Sequence, residues 1–106
     1  MSNQFLIFDF ETLSNIPLQA PIISLGAVSG NFGDSVADLR EAGFYCNIKT
    51  KEQTDIGLQP NKETVKWWFS QGPEAQAVLN AKDKISVSDA LKNFATWCKS
   101  VGVDKN

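Results

Sequence analysis

The stretch Phe5-Leu6-Ile7-Phe8-Asp9-Phe10-Glu11-Thr12 constrains the fold most, because an unbroken apolar run ends in two carboxylates separated by one residue. Side chains alternate faces along a strand, so Asp9 and Glu11 project to the same side, close enough to share hard cations. Leu6, Phe8 and Phe10 occupy the other side. Phe5 and Ile7 are also apolar on the carboxylate side, which predicts a strand covered on both faces, as in the centre of an α/β sheet. The acidic pair then lies at the carboxyl end of a buried strand, where open α/β sheets place their ligands.

Composition excludes several classes. A chain of 106 residues is one domain at most. With 42% hydrophobic and 21% charged residues it is not disordered, and no apolar run is long enough to cross a bilayer. The N-terminus has no secretory pattern, so a cytoplasmic location is expected. Cys46 and Cys98 are too isolated for a disulfide framework, and with no histidine in the chain a zinc site is excluded. Both are read as buried free thiols. A net charge of −2 and a pI near 5.0 argue against nucleic-acid binding by a broad basic surface. Engagement of phosphates through bound metal remains compatible with that charge.

Leu13–Pro21 reads as a connection rich in turn formers. A second strand follows over Ile22–Ser29, with Ile23, Leu25 and Ala27 on one face. The short link predicts antiparallel pairing with the first strand. After the turn Gly30–Asp34, the segment Ser35–Ala42 has too mixed a pattern to assign, and Gly43–Ile48 reads as a third strand. Lys49–Pro60 reads as a polar loop. Asn61 is placed as the N-cap of a helix reaching Ser70, with Val65, Trp68 and Phe69 as its apolar stripe. Pro73 starts a short helix whose inner face is Ala75, Val78 and Leu79. Ser86 to Asp89 resembles a capping box for a last helix carrying Val87, Leu91, Phe94, Cys98 and Val101, which Gly102 ends. Asp89 is read as part of that cap, and Asp83 and Asp104 as loop charges. Adjacent helical residues diverge by about 100°, so Trp67 sits at the edge of the stripe and is assigned to packing against a neighbouring helix, with base stacking as the alternative.

Two carboxylates desolvated together at the end of a hydrophobic run raise each other's pKa unless a cation neutralises them, so metal binding is preferred over a structural role. Hard oxygen ligands favour Mg²⁺ or Mn²⁺. Paired ions of this kind activate water and stabilise the leaving oxygen in phosphodiester hydrolysis.

Phe8-Asp9-Phe10-Glu11-Thr12, Pro21-Ile22-Ile23-Ser24-Leu25-Gly26-Ala27-Val28, Thr64-Val65-Lys66-Trp67-Trp68 and Gln71-Gly72-Pro73-Glu74-Ala75 together resemble the N-terminal half of a DEDD-superfamily 3′-5′ exonuclease. The tryptophan pair and the Pro-Glu-Ala step are most similar to the phage exonuclease A type. The resemblance implies an α/β, ribonuclease H-like fold: a three-stranded antiparallel meander followed by helices, truncated before the later parallel strands. Residues 1–106 are then the N-terminal part of a single 3′-5′ exonuclease domain. Asp9 and Glu11 are implied as catalytic ligands of a two-metal site, and Thr12 and Leu13 as contacts to the 3′-terminal nucleotide of single-stranded DNA or RNA. The family's later acids and its histidine have no counterpart here, so the chain is expected to be incomplete and inactive alone. A noncatalytic ribonuclease H-like interaction or nucleic-acid-binding module is the alternative. A haloacid-dehalogenase-type phosphatase fits less well, because its second acid is usually Asp where Glu11 stands. If the chain is phage-encoded, the expected location is the host cytoplasm. The missing parallel neighbour leaves the edge of the first strand open to association, including a homodimer.

Overall fold

The computed structural model describes residues 4–102. It is an α/β arrangement in which three antiparallel strands precede the major helices. The strands are β1 (Gln4–Thr12), β2 (Ile22–Asn31) and β3 (Phe44–Asn47), in the order β1-β2-β3. The helices are α1 (Val36–Glu41), α2 (Lys51–Asp55), α3 (Lys62–Phe69), α4 (Pro73–Leu79) and α5 (Val87–Ser100). The antiparallel hairpin and the meander are as expected. Asp9 opposes Gly26, which opposes Tyr45, and Glu11 opposes Ser24, which opposes Asn47. Directly opposed residues share a face, so this register separates a polar face from an apolar one.

The apolar face, carrying Phe8, Leu25, Ala27, Phe44 and Cys46, is covered by α5. Ser86 caps that helix by accepting from the Asp89 N–H at 3.0 Å, and Gly102 ends it with φ +80°. Such a left-handed residue just past a helix is where glycine costs least. Phe94 lies 6.0 Å from Phe8 and 5.6 Å from Phe44 between ring centroids, and stacks on Trp97. Leu25, Ile48 and Ala90 form the fully enclosed centre of this layer. Ala90, rather than Leu91, makes the closest approach: Leu91 remains 54% exposed. The small side chain lets the helix backbone approach the sheet.

Among the described residues β1 lies at the sheet edge, as the missing parallel neighbour implies, and not at the centre that its two apolar faces alone suggest. Ile7, Phe8 and Phe10 stay 61%, 51% and 40% exposed, since no described strand pairs beyond β1 and no described helix covers Ile7. The Cα radius of gyration, 15.4 Å, exceeds the roughly 13 Å of a closed domain this long. The described residues therefore leave apolar sheet surface uncovered.

Other expectations need correction. Ser35–Ala42 forms α1, because Ser35 caps it by accepting from the Asp38 N–H at 3.1 Å. Lys49–Pro60 contains α2, whose Gln53 is buried beneath an otherwise polar turn. Asn61 caps α3 as expected, accepting from the Thr64 N–H at 3.0 Å, and Trp68 is buried. Phe69 is not in the stripe's buried part, being 65% exposed. Trp67 is half exposed, with its ring set edge-on to Trp68 at 5.3 Å. Pro73 opens α4, and Ala75, Val78 and Leu79 are partly buried. No disulfide joins Cys46 to Cys98, and both are only half buried. Asp104 lies outside the described residues. No helix among them is long and apolar enough to cross a membrane.

Candidate functional site

Strand alternation and register bring Asp9 and Glu11 onto one face with Ser24, Gly26, Tyr45 and Asn47. Gly26 lies between Asp9 and Tyr45. Having no side chain, it leaves a flat floor, and the two flanking side chains stand two strand spacings, about 10 Å, apart. A concavity of about 540 Å³ opens above it, with Asp9, Glu11, Val28, Arg40 and Tyr45 in its wall. Arg40 comes from α1, which is held over the far end of the same face by Leu39. An added Cβ at Gly30 would overlap Leu39 Cδ2. A larger residue there would require the Leu39 and Asp34 side chains to move aside.

The Ser24 hydroxyl donates to Glu11 Oε1 at 2.9 Å, fixing that carboxylate. Its other oxygen and both oxygens of Asp9 have neither a hydrogen bond nor an ion pair among the described residues. The Tyr45 hydroxyl donates to Asn47 Oδ1 at 2.9 Å, and Asn47 Nδ2 donates to Asp83 Oδ1 at 3.0 Å. Asp83 is thus tied to the sheet's polar face and is more than a loop charge. Burial pushes the Tyr45 hydroxyl above its ordinary value of 10.0, the Ser24 hydroxyl opposes this, and the negative charges of Glu11 and Asp83 add to it. The Cys46 thiol, on the other face, is also raised by burial, opposed by a backbone hydrogen bond from Leu25.

Tyr45 is the chain's one tyrosine, so tyrosinate absorbance reports on this face alone. Its alkaline titration midpoint is expected above 10.0, and lower in Glu11→Gln or Asp83→Asn, which remove a neighbouring negative charge. A folded-state pKa above the unfolded one favours the protonated form. The associated stability is complete below the unfolded pKa and is lost as pH rises through the folded pKa. An unchanged midpoint in both variants would contradict this arrangement.

Thr12 and Leu13 follow Glu11 directly, where a register shift bends the strand end. The Thr12 hydroxyl donates to the Ser14 carbonyl at 2.7 Å, and the Thr12 carbonyl accepts from Trp68 Nε1 at 2.9 Å. Leu13 donates its N–H to Pro21 and accepts at its carbonyl from the Asn61 N–H, so both its backbone groups are engaged. Its half-buried side chain is what it has left to offer. The sequence reading missed Ser24, Tyr45, Asn47, Asp83 and Arg40. Ser24, Tyr45 and Asn47 were accessible in principle from the hairpin register, since they fall on the alternate positions that face Asp9 and Glu11. Asp83 and Arg40 carry no such periodic signal.

Two carboxylates with a hydroxyl nearby make a hard donor set suited to a divalent ion. They are insufficient to enclose one. Among the described residues no group of three or more acidic, histidine or cysteine side chains converges on a point.

Comparison with known proteins bears on fold and family. The structure matches the crystal structure of cell-death related nuclease 4 (CRN-4) with a TM-score of 0.55 at 18% identity, over 95% of this chain. At that identity the likeness concerns the fold alone, and the chain spans 31% of that protein's length. No curated protein matches the sequence. The family model for the 3′-5′ exoribonuclease Rv2179c-like domain matches residues 4–106. The polar sheet face with its paired acids is thus the candidate site of a chain that belongs to the Rv2179c-like 3′-5′ exoribonuclease domain family.

Proposed function

We propose that this chain is the N-terminal part of a metal-dependent 3′-5′ exonuclease domain with a ribonuclease H-like fold, acting on single-stranded nucleic-acid 3′ ends. One observation carries the reading: in a member of an exoribonuclease family, two carboxylates, Glu11 bonded to Ser24 and Asp9 without a partner among the described residues, share one face at the carboxyl end of β1. Asp9 and Glu11 would hold Mg²⁺ or Mn²⁺, Glu11 oriented by Ser24. The metal supplies water activation and stabilisation of the departing 3′ oxygen. Arg40, the cation in the concavity wall, faces phosphate, and the side chains of Thr12 and Leu13 meet the terminal nucleotide. The tryptophan pair and Pro73-Glu74-Ala75 support the finer likeness to the phage exonuclease A type, and a cytoplasmic location goes with that reading. Family membership sets aside the haloacid-dehalogenase-type alternative.

The remaining acids and the general base come, in this proposal, from polypeptide outside the described residues, so these residues alone bind metal without turnover. Mn²⁺ titration followed by electron paramagnetic resonance should show binding by the chain and its loss in Asp9→Asn and Glu11→Gln. Identical binding in both variants would sink the metal assignment. The second reading, a noncatalytic interaction or nucleic-acid-binding module, is favoured by the two-carboxylate donor set, which no third acidic, histidine or cysteine side chain joins among the described residues. A ladder of shortened products from a 5′-labelled single strand with Mn²⁺, absent in Asp9→Ala, would refute it and the expected lack of turnover together.

The open β1 edge is proposed to be closed by further polypeptide, including a second copy of this chain. Light scattering should show mass rising with concentration, and Ile7→Lys, placing a charge beside that edge, should suppress the rise. A monodisperse monomer throughout would remove the homodimer.

A further inference from the structure

We propose that Trp67 is a stacking platform for an unpaired nucleobase of the RNA strand whose end lies at Asp9 and Glu11. The proposal rests on the exonuclease reading for the position of that strand, but its own support is geometric. Trp67 leaves 54% of its surface exposed, although burying an indole is strongly favourable. The exposed ring is held in place. It meets the buried Trp68 ring edge-on, with centroids 5.3 Å apart and planes at 82°, and Trp68 Nε1 donates to the Thr12 carbonyl at 2.9 Å. The chain of contacts from the acidic pair is therefore short: Glu11 is followed by Thr12, Thr12 is fastened to Trp68, and Trp68 supports Trp67.

The backbone below the ring is also braced. Ser70 Oγ and Gln71 Nε2 both donate to the Trp67 carbonyl, at 2.6 and 3.2 Å. A ring fixed before the ligand arrives loses little conformational freedom on binding, which is what a stacking surface requires. Lys66, the residue before Trp67, has no acidic partner among the described residues and offers positive charge beside the ring, while Glu63, one turn earlier, is the acidic side chain of that helix. Trp97, the third tryptophan, contrasts with this: it stacks on Phe94 at 5.9 Å and donates to the Ala42 carbonyl, so it is structural.

The test is fluorescence anisotropy with a short fluorescein-labelled oligoadenylate in EDTA, which keeps the readout independent of any metal at Asp9 and Glu11. Trp67→Leu should bind about 5- to 150-fold more weakly than the wild-type chain, the range for loss of one base stack, and Trp67→Phe should recover most of the affinity. Phe69→Leu, which alters an exposed aromatic two residues on, should bind as wild type. A duplex of matching length should bind wild type and Trp67→Leu equally, since its bases are already stacked. Circular dichroism should show every variant folded at the assay temperature, because more than half of the Trp67 surface lies outside the core. Undetectable binding by the wild-type chain, equal affinities of wild type and Trp67→Leu, or an equal loss in Phe69→Leu would each overturn the proposal. A lower oligomeric mass in Trp67→Leu would overturn it too, by assigning the ring to a protein contact. Failure here with Mn²⁺ binding still lost in Asp9→Asn would leave the metal reading standing.

Discussion

Replacing Trp68 with alanine is expected to destabilise the protein by about 3–5 kcal/mol, the range for emptying a buried tryptophan site. Trp68 is 5% exposed and is the main apolar anchor of α3. Its indole N–H also satisfies the Thr12 carbonyl, so truncation removes packing and strands an acceptor at the end of β1. Trp68→Phe separates the two effects. It retains most of the ring volume but no donor, and its expected cost is about 1–3 kcal/mol. Urea unfolding followed by circular dichroism gives both numbers. If Trp68→Phe equals the wild type, the hydrogen bond to Thr12 contributes nothing. The phenylalanine variant should also bind Mn²⁺ less tightly, because Thr12 is the residue after Glu11. The same Mn²⁺ affinity in both proteins would show that the brace on Thr12 does not reach the carboxylates.

Gln53→Ala is expected to cost roughly 2–4 kcal/mol, a large effect for a residue in a short surface helix. Gln53 is 3% exposed and makes three backbone bonds: it accepts from the Ile22 N–H at 2.7 Å and donates to the Ile22 and Lys49 carbonyls at 2.8 Å each. Alanine leaves these three groups to find water in a site that excludes it. Gln53→Leu should be no better, because an apolar side chain of similar length satisfies none of them. Either variant with an unfolding midpoint at the wild-type value would show that water replaces the side chain without cost. Because Gln53 fastens the start of β2, whose Ser24 holds Glu11, the loss should also loosen the site face.

Local signals carried much of the architecture. The apolar runs at Phe5–Phe10 and Ile22–Val28 form strands, and the short link between them makes the hairpin antiparallel. Asn61, Pro73 and Ser86 start their helices, since a cap acts on backbone N–H groups within a few residues and is legible in any context. Ser35 capped α1 by the same chemistry, but the helix it starts is only six residues and has no buried residue, so no apolar periodicity accompanied the cap. α2 went unseen for a related reason: its one buried side chain is a glutamine, and polarity was read as exposure.

By itself the sequence determined that Asp9 and Glu11 share one face of a strand, because the alternation of side chains is a property of extended backbone. Only the tertiary structure decided what surrounds them. Trp68 meets Thr12 across 56 residues, Asn47 meets Asp83 across 36 and Gln53 meets Ile22 across 31. Such pairings follow from how helices dock on the sheet, and no local pattern encodes them. The position of β1 is a mixed case: its apolar pattern looks alike at the centre or the margin of a sheet, so the open edge followed from the resemblance and its missing strand, and not from the residues of β1 themselves.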